Sequence, residues 1–151
     1  MDGQVHSMIR PNMLFAISLP FPILEKAYWK AVVDVCQGEL YFDYGLRSLS
    51  SKDCEYVGVY QGDLLARDGA YHRGTGWGWL LGPFLEAHYK VYGDRLWVEN
   101  ALKKALTHLE EGALGTYAEN FDGDAPHSPR GCCAQAWSVS EVLRLTALIS
   151  S

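Results

Sequence analysis

Two stretches of this sequence gather side chains that do chemistry. The first, YAENFDGDAPHSPRGCCAQAW at 117–137, carries Glu119, Asp122, Asp124, His127 and Arg130 close together. Any of the three carboxylates could serve as a general base, taking a proton from an attacking water. His127 and Arg130 could hold such a carboxylate, or a substrate. The same residues also suit a salt-bridged loop in which Arg130 pairs with Asp122 or Asp124, and for the aspartates that is the favoured reading. The second stretch, RDGAYHRGTGWGWLLGPF at 67–84, sets Asp68, His72, Arg73, Trp77 and Trp79 in a glycine-rich turn. Glycine lets backbone approach a ligand closely, and indole faces suit a sugar ring. A tight helix-to-loop joint would use the same residue types.

Metal and cofactor chemistry find little support. DGD lacks the further ligands and the distal glutamate of a calcium loop. His72 and His127 do not fall at metal-ligand spacing. Cys36, Cys54, Cys132 and Cys133 include no CxxC pair, so a cysteine-built zinc site is not expected. His6 and His108 read as solvent-facing.

These residues need elements to position them. Apolar residues at Leu24, Ala27, Tyr28, Ala31, Val32 and Val35 recur at a helical period, predicting a helix over 24–40. PNMLFAIS predicts a shorter helix before it, with Pro11 in its first turn. Pro20 and Pro22 then break the chain. WLLGPFLEAHYKVYG is apolar on most sides, as an inner helix is, although Gly82 and Pro83 argue against a straight one. Gly93 is a natural stop and Asp94 a natural cap for a helix over 94–111, which buries Leu102, Ala105, Leu106 and Leu109 and ends at Gly112. A last helix runs from near Ala134 to about Leu148, with CCAQAW expected to be buried. No strand is convincing, so 41–75 and 113–132 read as two long loops, and a loop as long as 41–75 is usually functional or else mis-assigned.

Composition narrows the classes of partner. The chain has 151 residues, 48% hydrophobic and 21% charged, enough for one domain with a core. A net charge of −5 without a basic patch argues against nucleic acid. No apolar run is long enough to span a membrane. MDGQVHSMIRPN lacks the basic and apolar regions of a signal peptide, and the cysteines suit a reducing, cytoplasmic setting.

The segments IRPNMLFAISLPFP, YGLRSLSS, DGAYHRGTGWGWLLGPFLEA and FDGDAPHSPRGCCAQAWSVSEVLR resemble, in order, the C-terminal part of amylo-α-1,6-glucosidases, the glucosidase region of glycogen debranching enzymes. The similarity runs from about Ile9 to Leu145. It implies an all-α fold, a partial (α/α)₆ toroid of about five helices in a single domain over 1–151, with long loops at one mouth. It implies inverting hydrolysis of an α-1,6-glucoside, which uses one carboxyl as acid and another as base. Glu119 matches the family's base. His72, Arg73, Trp77 and Asp122 become candidate substrate contacts, with Glu119 expected to face the same cavity as His72 or Trp77. No metal or cofactor is implied.

Two departures stand out. TGWGW replaces the usual Thr-Val-Trp-Pro-Trp, so Gly76 and Gly78 are expected to loosen the turn, and AEN replaces Ser-Glu-Ile. The family's general acid lies upstream of the matching region. The resemblance therefore predicts the base side of a site, inactive alone. A non-catalytic glucan-binding module and a subunit of a split glucosidase stay open as alternatives. A homodimer or a partner chain is expected to cover the inner helix.

Overall fold

The computed structural model describes residues 7–111 and 114–150. His6, Gly112 and the leading MDGQVH lie outside them. A 3₁₀ turn at Pro11–Leu14 leads into α1 (Phe15–Ser18), followed by α2 (Lys26–Glu39), β1 (Tyr41–Phe42) and β2 (Gly45–Arg47). Then come α3 (Leu64–Ala70), β3 (Gly76–Trp77), a 3₁₀ turn at Gly78–Leu80 and α4 (Leu81–Tyr92). The chain continues with α5 (Arg95–Leu106), a 3₁₀ extension at Thr107–Glu110, β4 (Asn120–Phe121), β5 (Pro129–Arg130) and α6 (Ala136–Ser150).

Helix boundaries follow local chemistry. Gly93 takes a left-handed φ of 65° and its N–H donates to Tyr89 O, ending α4. Asp94 caps α5 through its Oδ1, which accepts from Trp97 N at 3.0 Å. Gly82 and Pro83 fall in the first turn of α4, where a missing N–H leaves no helical bond unmade. A Cβ on Gly82 would collide with the Glu141 carboxylate, so α6 crosses α4 closely at that point.

α4 is the inner helix, burying Leu81, Phe84, Leu85, Ala87 and His88. It packs against α1, α2, α5 and α6 of the same chain. These neighbours bury most of its apolar side chains, while Tyr89 and Tyr92 near its end stay exposed. Leu14, Ile17, Val33, Leu40, Leu46, Phe121 and Leu145 fill the space around it.

The all-α expectation is corrected. The two long loops, together with Gly76–Trp77 just after the first, form a five-stranded antiparallel sheet in the order β1-β2-β3-β4-β5. Each strand has two or three residues, too few for a period-two pattern to be visible in sequence. α3 is also additional, capped by Asp63, whose Oδ1 accepts from Ala66 N at 2.9 Å. CCAQAW is not buried: Cys132, Cys133 and Ala134 are exposed and α6 starts only at Ala136. His108 is not solvent-facing either, being 2% exposed. Its ring packs against Tyr44, Tyr117 and Phe121, and its Nε2 accepts from Ala118 N at 3.3 Å.

Candidate functional site

The sheet carries the two chemical stretches to one place. Pairing of β2 with β3 sets Leu46 opposite Trp77, and pairing of β3 with β4 sets Trp77 opposite Asn120. Glu119, just before β4, thus lies alongside Gly78, whose N–H donates to Glu119 O at 3.4 Å. Gly76 and Gly78 do not loosen this turn. A Cβ on Gly76 would strike the Phe42 ring, and one on Gly78 would sit 2.9 Å from Tyr117 Cε1 and 3.1 Å from Ser138 Oγ. Both glycines are there for close approach, and neither has a positive φ.

The Glu119 carboxylate is held at both oxygens. Tyr71 Oη donates to Oε1 at 2.6 Å, and Cys132 N–H donates to Oε2 at 2.9 Å. Glu119 N–H in turn donates to Cys132 O at 2.8 Å. Gly131 makes this possible, with a φ of 64° and no room for a Cβ, which would lie 2.5 Å from Glu119 Oε2. Burial first, and then the bond to Glu119, pushes the Tyr71 phenol well above its ordinary range, so it stays protonated and donates.

Tyr71 also joins Glu119 to the aromatic cluster. Its ring meets Trp77 edge-on at 4.7 Å and its carbonyl accepts from Trp77 Nε1 at 3.2 Å. His72 stacks on Trp77 at 5.6 Å, and Trp79 stacks on Trp137 at 5.4 Å. These four rings, with Phe15 and Arg10, line a largely apolar cleft of about 330 Å³. Arg10 ties the wall together, its Nη1 donating to His72 O at 2.6 Å and to Ser48 O at 3.1 Å.

The candidate residues therefore separate. His72 and Trp77 line the cleft. Glu119 does not line it, and stands one side chain away, behind Tyr71. Arg73 is exposed and its side chain makes no hydrogen bond among the described residues. Asp122 is turned to a structural partner: Arg130 Nε lies 3.1 and 3.0 Å from its two oxygens and Nη2 lies 2.7 Å from Oδ2. Tyr60 N–H adds a fourth contact, to Oδ1 at 2.8 Å. Asp124 accepts from Tyr56 Oη at 2.9 Å. His127 stacks on Phe42 at 4.4 Å, and its Nδ1 donates to Asp122 O at 3.0 Å, since a carbonyl can only accept. The salt-bridged reading of this loop is the one its geometry bears out.

Sequence reasoning missed Tyr71, Arg10 and Trp137. Tyr71 was visible only as the neighbour of His72. Trp137 lies in α6 as expected, but it was expected to be buried with CCAQAW and is 46% exposed. No group of three or more His, Cys, Asp or Glu among the described residues could hold a metal ion.

A carboxylate held by two neutral donors beside an aromatic cleft is an arrangement suited to activating water next to a sugar. Residues 2–144 match the family model described as Amylo-alpha-1,6-glucosidase, and the chain belongs to that family. Among the described residues no helix is long and apolar enough to cross a membrane.

Proposed function

We propose that this chain forms the base side of an inverting α-1,6-glucosidase site, with Glu119 as the general base and the His72–Trp77–Trp137 cleft as the surface that receives a glucose unit of an α-glucan. The observation that carries this reading is the Glu119 carboxylate itself. Both of its oxygens are oriented, yet no cation is paired with it among the described residues. A carboxylate so placed keeps its charge available to take a proton from water.

The acid is the other half of the reaction. An inverting site sets it roughly 6.5–9.5 Å from the base, across the sugar. Asp122 is engaged by Arg130 and Tyr60, and Asp124 by Tyr56. Asp68 is exposed on α3 and its side chain makes no hydrogen bond among the described residues. None of the three is held opposite Glu119 as a proton donor. General acid help is worth roughly 10²–10⁴-fold, so the chain alone binds glucan and does not turn it over. In this reading α2, α4, α5 and α6 form one sector of a helical toroid, and the sheet forms part of its mouth.

The test is glucose release from a branched limit dextrin, set beside direct binding of the same dextrin. Binding without release is expected. Release by the isolated chain that vanishes in Glu119→Gln would show that an acid is present after all. Absence of binding would remove the glucan reading altogether.

A further inference from the structure

A second cavity, of about 630 Å³, opens at the other end of α4, between the last turns of α2 and the start of α5. Asp34, Gln37, His88, Tyr92, Asp94 and Trp97 are on its walls. It shares no residue with the aromatic cleft, which meets α4 only at the Leu80 end. His88 and Tyr92 lie two to three turns further along the helix.

His88 is what makes this more than a dent between helices. It is 5% exposed, its Nδ1 is buried, and it has no hydrogen-bond partner among the described residues. A polar ring left like this is costly unless something else supplies its bonds. It stacks face to face on Trp97 at 3.8 Å, with Tyr92 tilted against it at 4.6 Å. Burial holds the imidazole below its ordinary range, against the pull of Asp94 and Asp34, so it is neutral.

The charges choose the ligand. Two carboxylates on the wall disfavour an anion. A cation would need their charge, but both are already answered. Asp34 pairs with Lys30 at 2.6 Å and accepts from Tyr92 Oη, and Lys30 also sits 5.5 Å from the Tyr92 ring centre. Asp94 is bonded to the N-terminus of α5. What is left over is uncharged hydrogen-bonding capacity: carboxylate lone pairs, the Gln37 amide and a neutral imidazole, set beside aromatic carbon. Vicinal hydroxyls and the apolar face of a pyranose match that inventory.

We infer that this cavity is a second carbohydrate site, binding neutral glucose units of an α-glucan apart from the Glu119 cleft. The choice of glucan rests on the function proposed above. Two such sites on one chain would hold a long glucan more tightly than either alone, because the second contact is made at a raised effective concentration.

The five tryptophans allow one experiment to read both sites. Their indole N–H signals, assigned from single Trp→Phe variants, are followed by ¹⁵N NMR while maltoheptaose is added. The Trp97 signal is expected to shift saturably. Gly38 lies on the cavity wall, and a Cβ there meets nothing within 4 Å, so Gly38→Phe fills the space without pressing on the core. That variant should raise the Trp97-reported Kd at least about 10-fold and leave shifts of Trp77, Trp79 and Trp137 in place. Gln37→Ala should weaken the same signal less. Movement of Trp77, Trp79 and Trp137 with Trp97 unmoved overturns the second site and leaves the first reading standing. A Trp97 response to spermidine but not to maltoheptaose overturns the neutral ligand. No response from any indole removes both sites together.

Discussion

Glu119 and Asp122 bracket the two-residue strand β4, and their carboxylates are held in opposite ways. Asp122 is 5% exposed and faces a guanidinium on both oxygens. Among the described residues, the Glu119 carboxylate accepts only from a phenol and a backbone N–H. The first arrangement cancels the charge and fastens the loop, drawing β5 and the Tyr60 backbone against β4. The second fixes orientation and leaves the charge in place. Two acids in one short motif thus divide into a brace and a candidate base according to whether the partner is a cation or a neutral donor. Residue type alone does not separate them.

The sharpest way to break this comparison is to remove each acid in turn. Asp122→Ala strands Arg130 and the Tyr60 N–H, and should cost about 2–4 kcal/mol, less than a fully buried pair because Arg130 is partly exposed. Glu119→Ala should cost less, about 1–2 kcal/mol, since it leaves no buried cation behind and one of its two donors, the Cys132 N–H, is exposed. Urea midpoints measure both, and equal losses would erase the distinction. Next in size is Gly76→Val, which forces a side chain into the Phe42 ring. It should destabilise by about 1–3 kcal/mol, and a cost near zero would mean that β3 is looser than described.

The pH dependence tests the floor under β4. His108 packs against Phe121 at 4.9 Å, and its imidazole is held below the ordinary 6.5, chiefly by burial. The unfolded chain therefore binds the proton first as pH falls. This contribution is fully present above pH 6.5 and declines as pH drops toward the folded value, by up to about 1.4 kcal/mol per pH unit. His108→Gln, compared with the parent in urea at pH 7.5 and 5.5, should flatten that slope. An unchanged slope would mean that other groups carry it. The smallest expected effect is Tyr71→Phe, at about 0.5–1.5 kcal/mol in stability. Its larger consequence should fall on Glu119, which loses the donor at Oε1.

Much of the helical frame was legible in the sequence, because its signals are local. Asp94 caps α5 and Gly93 ends α4 as their residue types predict. A salt bridge from Arg130 to Asp122 or Asp124 was legible too, since opposite charges in one tight loop have few other partners, but which aspartate it takes was not. The sheet was not, because strands of two residues carry no periodicity and form only when distant loops meet. Gly76 and Gly78 were misread for the same reason: a glycine kept for close approach looks, in sequence, like one kept for flexibility. Exposure at Cys132 and burial at His108 likewise depend on neighbours far along the chain. Tyr71 lay in full view, but its role depends on a contact 48 residues away.

The central proposal is that Glu119 activates water and that no acid is held opposite it among the described residues. α-Glucosyl fluoride separates the two, because fluoride leaves without needing a proton. Water adds to C1 with Glu119 taking its proton, the C–F bond breaks, and β-glucose and fluoride are released with inversion. The measurement is fluoride release by the isolated chain, the parent against Glu119→Gln, with branched dextrin run beside it. The account predicts fluoride release above the uncatalysed rate in the parent, a drop of roughly 10²-fold or more in the variant, and no glucose from dextrin in either. Equal fluoride release by parent and Glu119→Gln would contradict it.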